Sequence, residues 1–276
     1  MVSRAELERC FAEDVGWGND WRQDKIAANI FEFMLAAHDF IEPDHIVLDI
    51  SAGQAHYRPF FQHARYVALD STLGDPSWDY SSLDIVADAM HLPIRVGCID
   101  VALNFVSLEH YAEPWTFFTE VSRILKPGGR LYLFAPHVYQ EHQAPYDFYR
   151  FTQYALQDLC ARNGLIVESL KPVCGLFDSA AKVIGFLQDC MPILNANKET
   201  VDFLAYVHTQ LKVLAVKAEA AIAGHWDEKS FPQMPMQYML CAVKPGELVA
   251  TKRSADRAAL LLSLIHISEP TRQAEI

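Results

Sequence analysis

The sequence contains no apolar run long enough to cross a membrane. Its longest unbroken apolar stretches fall far short of the roughly 18 residues that a transmembrane helix needs. The N-terminus, Met1 to Asp14, is charged and has no apolar segment of the kind that a signal peptide carries. The sequence therefore predicts neither a membrane span nor a secretory leader.

Closely spaced cysteines are also absent. The six cysteines are scattered, with no C-x-x-C pair and no two histidines at the spacing of metal ligands. In a chain of 276 residues, this pattern favours reduced thiols, packed as small hydrophobic side chains, in a cytoplasmic protein. It also predicts no metal site, because zinc ligands usually show a characteristic spacing.

Basic residues are few and do not cluster. The chain has 23 lysines and arginines against 35 acidic residues, which gives a formal net charge of −12. Binding to nucleic acid relies on clustered basic side chains that neutralise phosphates. We therefore expect a small or neutral substrate and no nucleic-acid partner.

Short apolar segments alternate with amphipathic ones along most of the chain. The patterns predict strands at 46–50, 66–70, 84–87, 99–105, 130–135, 165–170 and 237–243, and helices at 20–40, 57–63, 115–125 and 153–163. This alternation predicts an α/β fold with an open, mostly parallel sheet of about seven strands and helices on both faces. Ligands bind such sheets beyond the carboxyl ends of the strands.

The same patterns divide the chain into segments. These are an N-terminal helical segment (1–40), a core (41–172), a helical insertion before the last strand (173–231), the last strand completing the core (232–250) and a tail (251–276). The insertion could be a scaffold, a lid or the face of a homodimer. Within the tail, Leu262 to Ile276 resembles a translated sequencing adapter, so we expect no evolved fold there and a missing native C-terminus.

Acidic and small residues follow the predicted strands. Asp49 ends the first strand and is followed by Ser-Ala-Gly, where small side chains let the backbone approach a ligand closely. Asp70 ends the second strand, 21 residues later, where a carboxylate can accept both hydroxyls of a ribose. Further along come Asp88-Ala89-Met90 after the third strand, Asn104 near the end of the fourth, and the sequence L-K-P-G-G at 125–129.

As a set, these motifs resemble the class I S-adenosylmethionine-dependent methyltransferases, specifically the small-molecule group known as type 11. The matching motifs are acid–small–Gly, the acid after strand two, D-A-x-x-L-P, L-E-H and L-K-P-G-G, and they extend over about 46–171. The resemblance implies a Rossmann-like fold and S-adenosylmethionine as the cofactor. It assigns Asp49 and Gly53 to the methionine end with Ser51 in the same loop, Asp70 to the ribose, Asp88, Ala89 and Met90 to the adenine, and Asn104 to the neighbourhood of the sulfonium.

The glycine-rich loop departs from the family pattern. Where the family usually has three glycines, this chain has Ser51, Gly53 and Ala55. If Ser51 or Ala55 must adopt a positive φ, the loop is strained by about 1–2 kcal/mol. If both positions require only a small side chain, the substitutions cost nothing.

Candidate acceptor-side residues follow the fourth and fifth strands. A sulfonium is already a good leaving group, so catalysis is mainly in-line positioning of the acceptor. A base helps when the acceptor is a hydroxyl or an acidic carbon, and the candidates are His142, His137, His110 and Glu141. The aromatic segment 136–152 resembles P-Y-D-Y-x-R-Y-T of some family members. It could form the acceptor wall, or a structural corner in which Arg150 pairs with Asp147.

The favoured function is therefore methyl transfer to a small-molecule or metabolite acceptor by in-line displacement. A nicotinamide-dependent oxidoreductase would require G-x-G-x-x-G after the first strand, and S-A-G-Q-A-H lacks it. A second alternative is a catalytically silent methyltransferase-like binding module, which the reduced glycine loop motivates. The presence of Asp49, Asp70 and Asp88 argues against it, although each acid also has a structural alternative, such as an N-cap for Asp70 or a turn for Asp88.

Overall fold

A seven-stranded sheet forms the centre of the computed structural model, which describes residues 2–16, 18, 20–222 and 234–246. The strands are β1 (Ile46–Ile50), β2 (Arg65–Asp70), β3 (Ile85–Val86), β4 (Ile99–Phe105), β5 (Leu125–Pro136), β6 (Ile166–Val173) and β7 (Gln237–Val243). The tail predicted over 251–276, including the adapter-like segment, lies outside the described residues.

The strand order is β3-β2-β1-β4-β5-β7-β6. All strand pairs are parallel except those that β7 forms with β5 and β6. This topology confirms the predicted open, mostly parallel sheet. The chain runs outward in opposite directions from the central neighbours β1 and β4, so the loops that follow these two strands diverge and leave a crevice, where open α/β sheets bind ligands.

Six helices are described: α1 (Arg4–Glu13), α2 (Lys25–Phe40), α3 (Pro114–Ile124), α4 (Gln153–Arg162), α5 (Leu176–Cys190) and α6 (Lys198–Ile222). α2 begins where the Asp24 side chain accepts hydrogen bonds from the Ile26 and Ala27 amides, at 2.8 and 3.2 Å, because an N-cap carboxylate satisfies amides that have no helical partner. No helix among the described residues is long and apolar enough to cross a membrane.

Two hydrophobic cores lie on opposite faces of the sheet. Val101 and Leu103 of β4 contribute to the core that includes α1 and α2, whereas Ala102 contributes to the core that includes α3 and α4. All seven residues of β4 are buried, as expected for a parallel strand that is covered on both faces. The prediction of helices on both faces is confirmed.

The L-K-P-G-G motif lies inside β5, where the pairing register with β4 shifts between Ile99 and Val101. A Cβ on Gly129 would lie 2.9 Å from the Lys126 carbonyl oxygen and 3.0 Å from that of Asp100. Only glycine fits this close backbone approach, so the motif serves the sheet rather than a ligand.

One predicted element differs in type. The helix predicted at 57–63 is a short 3₁₀ turn at Arg58–Phe61. The preceding loop uses the residues up to Tyr57, and only a few residues remain before β2, too few for an α-helix. The helices predicted inside the insertion are present as α5 and α6, between β6 and β7, while the division of the chain into segments stays a prediction.

Candidate active site at the carboxyl ends of the strands

A cavity of about 610 Å³ opens beside the ends of β1, β2 and β4. Seven of the eight residues assigned to the cofactor line it, together with one of the three candidate histidines: Asp49, Ser51, Gly53, Asp70, Asp88, Ala89, Met90 and His110. The remaining three, Asn104, His137 and His142, do not line it.

The loop after β1 adopts left-handed backbone conformations at three positions. Ser51, Gly53 and Ala55 have φ values of 60°, 55° and 57°. Of the two alternatives for the missing glycines, the structure therefore has the strained one, which costs about 1 kcal/mol or more per residue. The Ser51 hydroxyl lies 2.7 Å from the Tyr111 hydroxyl, a hydrogen bond that offsets part of this cost.

A third strained residue lies across the cavity. Val106, directly after β4, has a φ of 54°, which is unfavourable for a β-branched side chain. It lines the cavity as well. Strain of this kind persists only where the surroundings enforce it, and it concentrates at functional sites.

Asp49 is a buried acid on the floor of the cavity, with 2% of its surface exposed. The Tyr66 hydroxyl donates a hydrogen bond to its carboxylate. Burial raises the pKa of Asp49 to about 7, against the opposing effect of the Tyr66 hydrogen bond, and the nearby Asp70 raises it further. A ligand that brings positive charge close to this carboxylate would stabilise its ionised form.

Asp70 connects the loop after β1 to the end of β2. One of its carboxylate oxygens accepts a hydrogen bond from the Gly53 amide at 2.9 Å, and the other accepts one from the Thr72 amide at 2.7 Å. Each oxygen has a second lone pair for another donor. The carboxylate thus fixes the loop and can still bind a hydroxyl group in the cavity.

Asp88 has the structural role of a turn acid as well as its place in the cavity wall. Its Oδ1 accepts a hydrogen bond from the Met90 amide at 2.8 Å, and its Oδ2 lies 3.1 Å from the exposed His91 ring. The hydrogen bond from the Met90 amide fixes the turn at 88–90, and all three residues of this turn line the cavity. The turn role and a ligand role are compatible, because nearly half of the side chain is exposed.

Asn104 lies behind the cavity wall rather than in it. Its amide nitrogen is within 2.7–3.0 Å of the Ile50 carbonyl oxygen and of the Ser107 and Tyr111 hydroxyls, and the residue is fully buried. Because these partners occupy the amide nitrogen, the side chain holds β1 against β4. Ser107 and Tyr111 are the members of this network that line the cavity.

Sequence reasoning missed the aromatic wall of the cavity. A Cβ on Gly53 would lie only 3.3 Å from the Trp78 ring, so this glycine lets the indole approach the loop. Tyr111 also lines the cavity. The available signal was an aromatic residue in the loop after β2 and another directly after L-E-H, whereas the predicted site residues were polar or small residues at strand ends.

His110 and His142 lie together beside the cavity. Their ring centroids are 4.8 Å apart, and His110 lines the cavity. The segment that carries His142 is fixed by Arg150, whose guanidinium forms two hydrogen bonds to Asp147 at 2.6 and 2.8 Å. The structural corner is therefore present, and three residues of the same segment also line the cavity: Gln143, Tyr146 and Phe148.

His137 lies apart from this pair. Its Nδ1 is 3.0 Å from the Phe151 carbonyl oxygen, and its ring packs against Tyr238 with centroids 5.6 Å apart. It neither lines the cavity nor contacts the other two histidines.

Glu109 was not predicted as a site residue, although it belongs to the L-E-H motif. Its side chain is completely buried, and neither carboxylate oxygen has a hydrogen-bond partner among the described residues. Burial raises its pKa to about 7. Its Oε1 lies 3.8 Å from His110 Nε2 and 3.7 Å from His142 Nε2. We call Glu109, His110 and His142 the polar corner.

Comparison with known proteins agrees with this architecture. Residues 48–133 match the family model of a methyltransferase domain. An uncharacterized methyltransferase of Mycobacterium bovis is 27% identical over 115 residues, or 39% of this chain and 45% of that protein. One from Mycobacterium leprae is 25% identical over 114 residues, or 38% of this chain and 42% of that protein. The matched region thus spans less than half of these relatives.

Among solved structures, geranyl diphosphate C-methyltransferase from Streptomyces coelicolor superposes with a TM-score of 0.49 and 13% identity, covering 86% of each chain. The sequence match lies on the strands and loops that build the cavity, from β1 to β5. Residues 48–133 of this chain, which make up the strands and loops around the cavity, are therefore similar to a methyltransferase domain.

Proposed function

We propose that the protein transfers the methyl group of S-adenosylmethionine to a small-molecule acceptor. The observation that carries this proposal is the convergence of the acids after β1, β2 and β3 on one cavity with His110 and an aromatic segment. The transfer needs little chemistry from the protein beyond placing the acceptor in line with the methyl group.

One side of the cavity offers a binding partner for each part of S-adenosylmethionine. Asp49 would hold the positively charged ammonium group of the methionine moiety, which would stabilise its buried charge. Asp70 would accept the ribose hydroxyls with the lone pairs left free by Gly53 and Thr72. Asp88 and the adjacent backbone would contact the adenine, and Trp78 would cover the cofactor from the solvent side.

The dimensions of the cavity favour a small acceptor. Its volume of about 610 Å³ falls within the range of roughly 300–1,000 Å³ that is typical of small-molecule sites. Aromatic residues close it from several sides, among them Phe105, Tyr146 and Phe148. We expect an organic acceptor with an apolar portion.

The polar corner is our candidate for activating the acceptor. Of the three histidines predicted as bases, His110 lines the cavity, and the His142 ring packs against the His110 ring. His137 lies apart from them, with its Nδ1 near the Phe151 carbonyl oxygen. Loss of His142 should lower turnover by about 10²–10⁴, and loss of His137 should have little effect.

The proposal is tested by calorimetry followed by transfer of a labelled methyl group. The full chain should bind S-adenosylmethionine and its demethylated product, and label should appear in the low-mass fraction of a metabolite extract. Absence of binding at millimolar cofactor would refute the proposal. Label in macromolecules alone would refute the small-molecule acceptor while keeping the transfer.

The strained loop gives some support to the silent binding module, since Ser51 and Ala55 occupy positions that favour glycine. That function predicts binding of the cofactor without label transfer to any acceptor fraction.

A homodimer through the helical insertion remains a prediction. Phe203 and Tyr206 of α6 expose 63% and 62% of their surface, which would be covered in such a dimer. Sedimentation velocity of the full chain would decide between a monomer and a dimer. A cytoplasmic location likewise remains a prediction, which rests on the scattered positions of the cysteines in the sequence.

A further inference from the structure

Glu109 is a buried carboxylate for which the described structure supplies no donor. Its side chain is 0% exposed, and both of its oxygens lack a hydrogen-bond partner among the described residues. The guanidinium of Arg150, which acts electrostatically on Glu109, is already engaged by both oxygens of Asp147 and by the Gln140 carbonyl. Because an unpaired buried carboxylate is costly, this position calls for a cation or a donor from outside the chain.

Two imidazole nitrogens lie next to this carboxylate. Nε2 of His110 is 3.8 Å and Nε2 of His142 is 3.7 Å from Glu109 Oε1. One candidate ligand atom from each of the three residues lies within 4.8 Å of the other two. His110 Nε2 is buried and has no hydrogen-bond partner among the described residues.

The other ring nitrogen of each histidine determines which atom is free to bind. His110 Nδ1 lies 2.5 Å from the Tyr146 carbonyl oxygen, which can only accept, so Nδ1 carries the hydrogen and Nε2 presents its lone pair. His142 Nδ1 lies 3.2 Å from the Gln140 carbonyl oxygen and 3.3 Å from Asp147 Oδ2. Both histidines therefore direct a lone pair from Nε2 toward the carboxylate.

This arrangement matches the surroundings of histidines that bind metals. Such a histidine typically donates its second ring N–H to a backbone carbonyl or to a carboxylate, which fixes the ring and makes the ligating nitrogen more basic. His110 has the first kind of partner and His142 has both. Asp147 is in turn held by Arg150. Two histidines and one glutamate are a common ligand set for zinc and for other first-row transition metals.

We propose that Glu109, His110 and His142 bind one divalent transition-metal ion of the zinc type. With tetrahedral bonds of about 2.0–2.2 Å, the ligand atoms would lie about 3.4 Å apart, so atoms that are now within 4.8 Å of one another would have to approach by up to about 1.4 Å. His142 belongs to the loop segment after β5 and is partly exposed, so its ring can make most of this adjustment. With three protein ligands, the ion keeps a fourth position for water or for an acceptor atom.

The ion would border the space for the acceptor, because His110 also lines the cavity. This part of the inference rests on the proposed function. A metal there would lower the pKa of a coordinated hydroxyl group, so an ionised acceptor oxygen would be available near neutral pH. The two histidines would then act as ligands, and neither would serve as the general base.

The site is tested with zinc alone on the full chain, after treatment with a chelator. Competition against a chromophoric chelator should give one tightly bound zinc per chain. Glu109→Gln and His142→Ala should each weaken binding at least about tenfold, and Asp147→Asn should weaken it by about 10–100-fold through its effect on His142. His137→Ala is the matched control, since His137 lies in the same segment but outside the polar corner. The zinc affinity of this variant should equal that of the wild type.

Cobalt substitution separates this site from binding at the six thiols. The wild type should show visible ligand-field bands without a thiolate charge-transfer band, and these bands should disappear in Glu109→Gln. Equal zinc affinity in the wild type and in both ligand variants, or a thiolate spectrum, would overturn the proposal. A shift of the wild-type melting temperature on addition of zinc gives a readout that does not depend on the folding of any variant.

Binding of S-adenosylmethionine to the metal-free wild type distinguishes this proposal from the proposed function. Zinc binding without cofactor binding would leave the metal site standing and refute methyl transfer. Cofactor binding without zinc binding would refute the metal site and leave the proposed methyl transfer standing.

Discussion

The acids that line the cavity and the carboxylate of the adjacent polar corner differ in their hydrogen-bond partners. We propose that Asp49, Gly53, Asp70 and Asp88 face the cofactor, and we call them the cofactor wall. Each of its acids accepts a hydrogen bond from a backbone amide or a tyrosine hydroxyl. In the polar corner, Glu109 accepts none from the described residues. The three acids of the cofactor wall are thus held by donors of the chain itself, whereas Glu109 has no such donor among the described residues.

Without a ligand, the ionised side chain of Asp49 should destabilise the folded protein. Its folded-state pKa of about 7 lies above the unfolded value of 3.8. A raised pKa means that the stability contribution is present below pH 4 and is lost as the pH rises through about 7. The shift corresponds to about 4 kcal/mol.

Asp49→Asn removes this titration and should therefore gain stability relative to the wild type as the pH rises. Urea unfolding at about pH 4.5 and pH 8.5 measures the effect. Tyr66, Asp70 and Arg58 are the neighbouring groups that influence this carboxylate, and the exposed Asp44→Asn is the control. Parallel pH profiles for the wild type and Asp49→Asn would contradict the prediction.

Asp70→Ala tests the ribose assignment on the same wall. It removes an acceptor of two charge-assisted hydrogen bonds, each worth about 1.5–3 kcal/mol, so cofactor affinity should fall at least about tenfold. Calorimetry measures the dissociation constant. Because Asp70 also holds the Gly53 and Thr72 amides, Asp70→Asn is a milder second variant.

The control for Asp70 is Asp79→Ala. Asp79 caps a short 3₁₀ turn in the next loop by accepting a hydrogen bond from the Ser81 amide and does not line the cavity. Its loss should leave cofactor affinity unchanged. Equal affinity in Asp70→Ala and the wild type would remove Asp70 from the cofactor site.

Ala55→Gly tests the backbone strain of the cofactor wall. At φ 57° the glycine should stabilise the chain by about 0.5–1 kcal/mol, and it should tighten cofactor binding if strain resists closure of the loop. Thermal unfolding and calorimetry measure the two effects. The matched variant Ala52→Gly, in the same loop without a positive φ, should destabilise by a similar amount; stabilisation by both would show that the conformation at Ala55 is not the cause.

The smallest effect is expected from truncation. A chain ending at Leu261 should melt within a few degrees of the full chain and bind the cofactor equally well. The reason is that the lining of the cavity and the polar corner consist of residues before 150. A larger drop in melting temperature would show that residues 262–276 contribute to the fold.

Most of the cofactor wall could be predicted from the sequence because its residues follow strands directly. A buried parallel strand is a local pattern, and its carboxyl end determines where the next side chain lies, so Asp49, Asp70 and Asp88 could be placed without a structure. Asn104 shows the limit of this reasoning. Its position in β4 was predicted correctly, but its amide nitrogen lies against the Ser107 and Tyr111 hydroxyls, and these two residues line the cavity in its place.

The polar corner could not be predicted in the same way. Glu109 and His110 are adjacent in sequence, but His142 follows only after α3 and β5, so no ligand spacing is visible. The three histidines also looked equivalent, and only the fold separated His137 from the other two.

By itself, the sequence determined the α/β class, the strand positions, the acids of the cofactor wall and the resemblance to the methyltransferases, because periodicity and strand-end motifs are local. The tertiary structure decided that Ser51 and Ala55 adopt positive φ values, that Trp78 and Tyr111 line the cavity, and that Glu109 is buried between two histidines. These features depend on contacts between segments distant in the chain, which packing of the sheet against its loops creates and which no local pattern encodes.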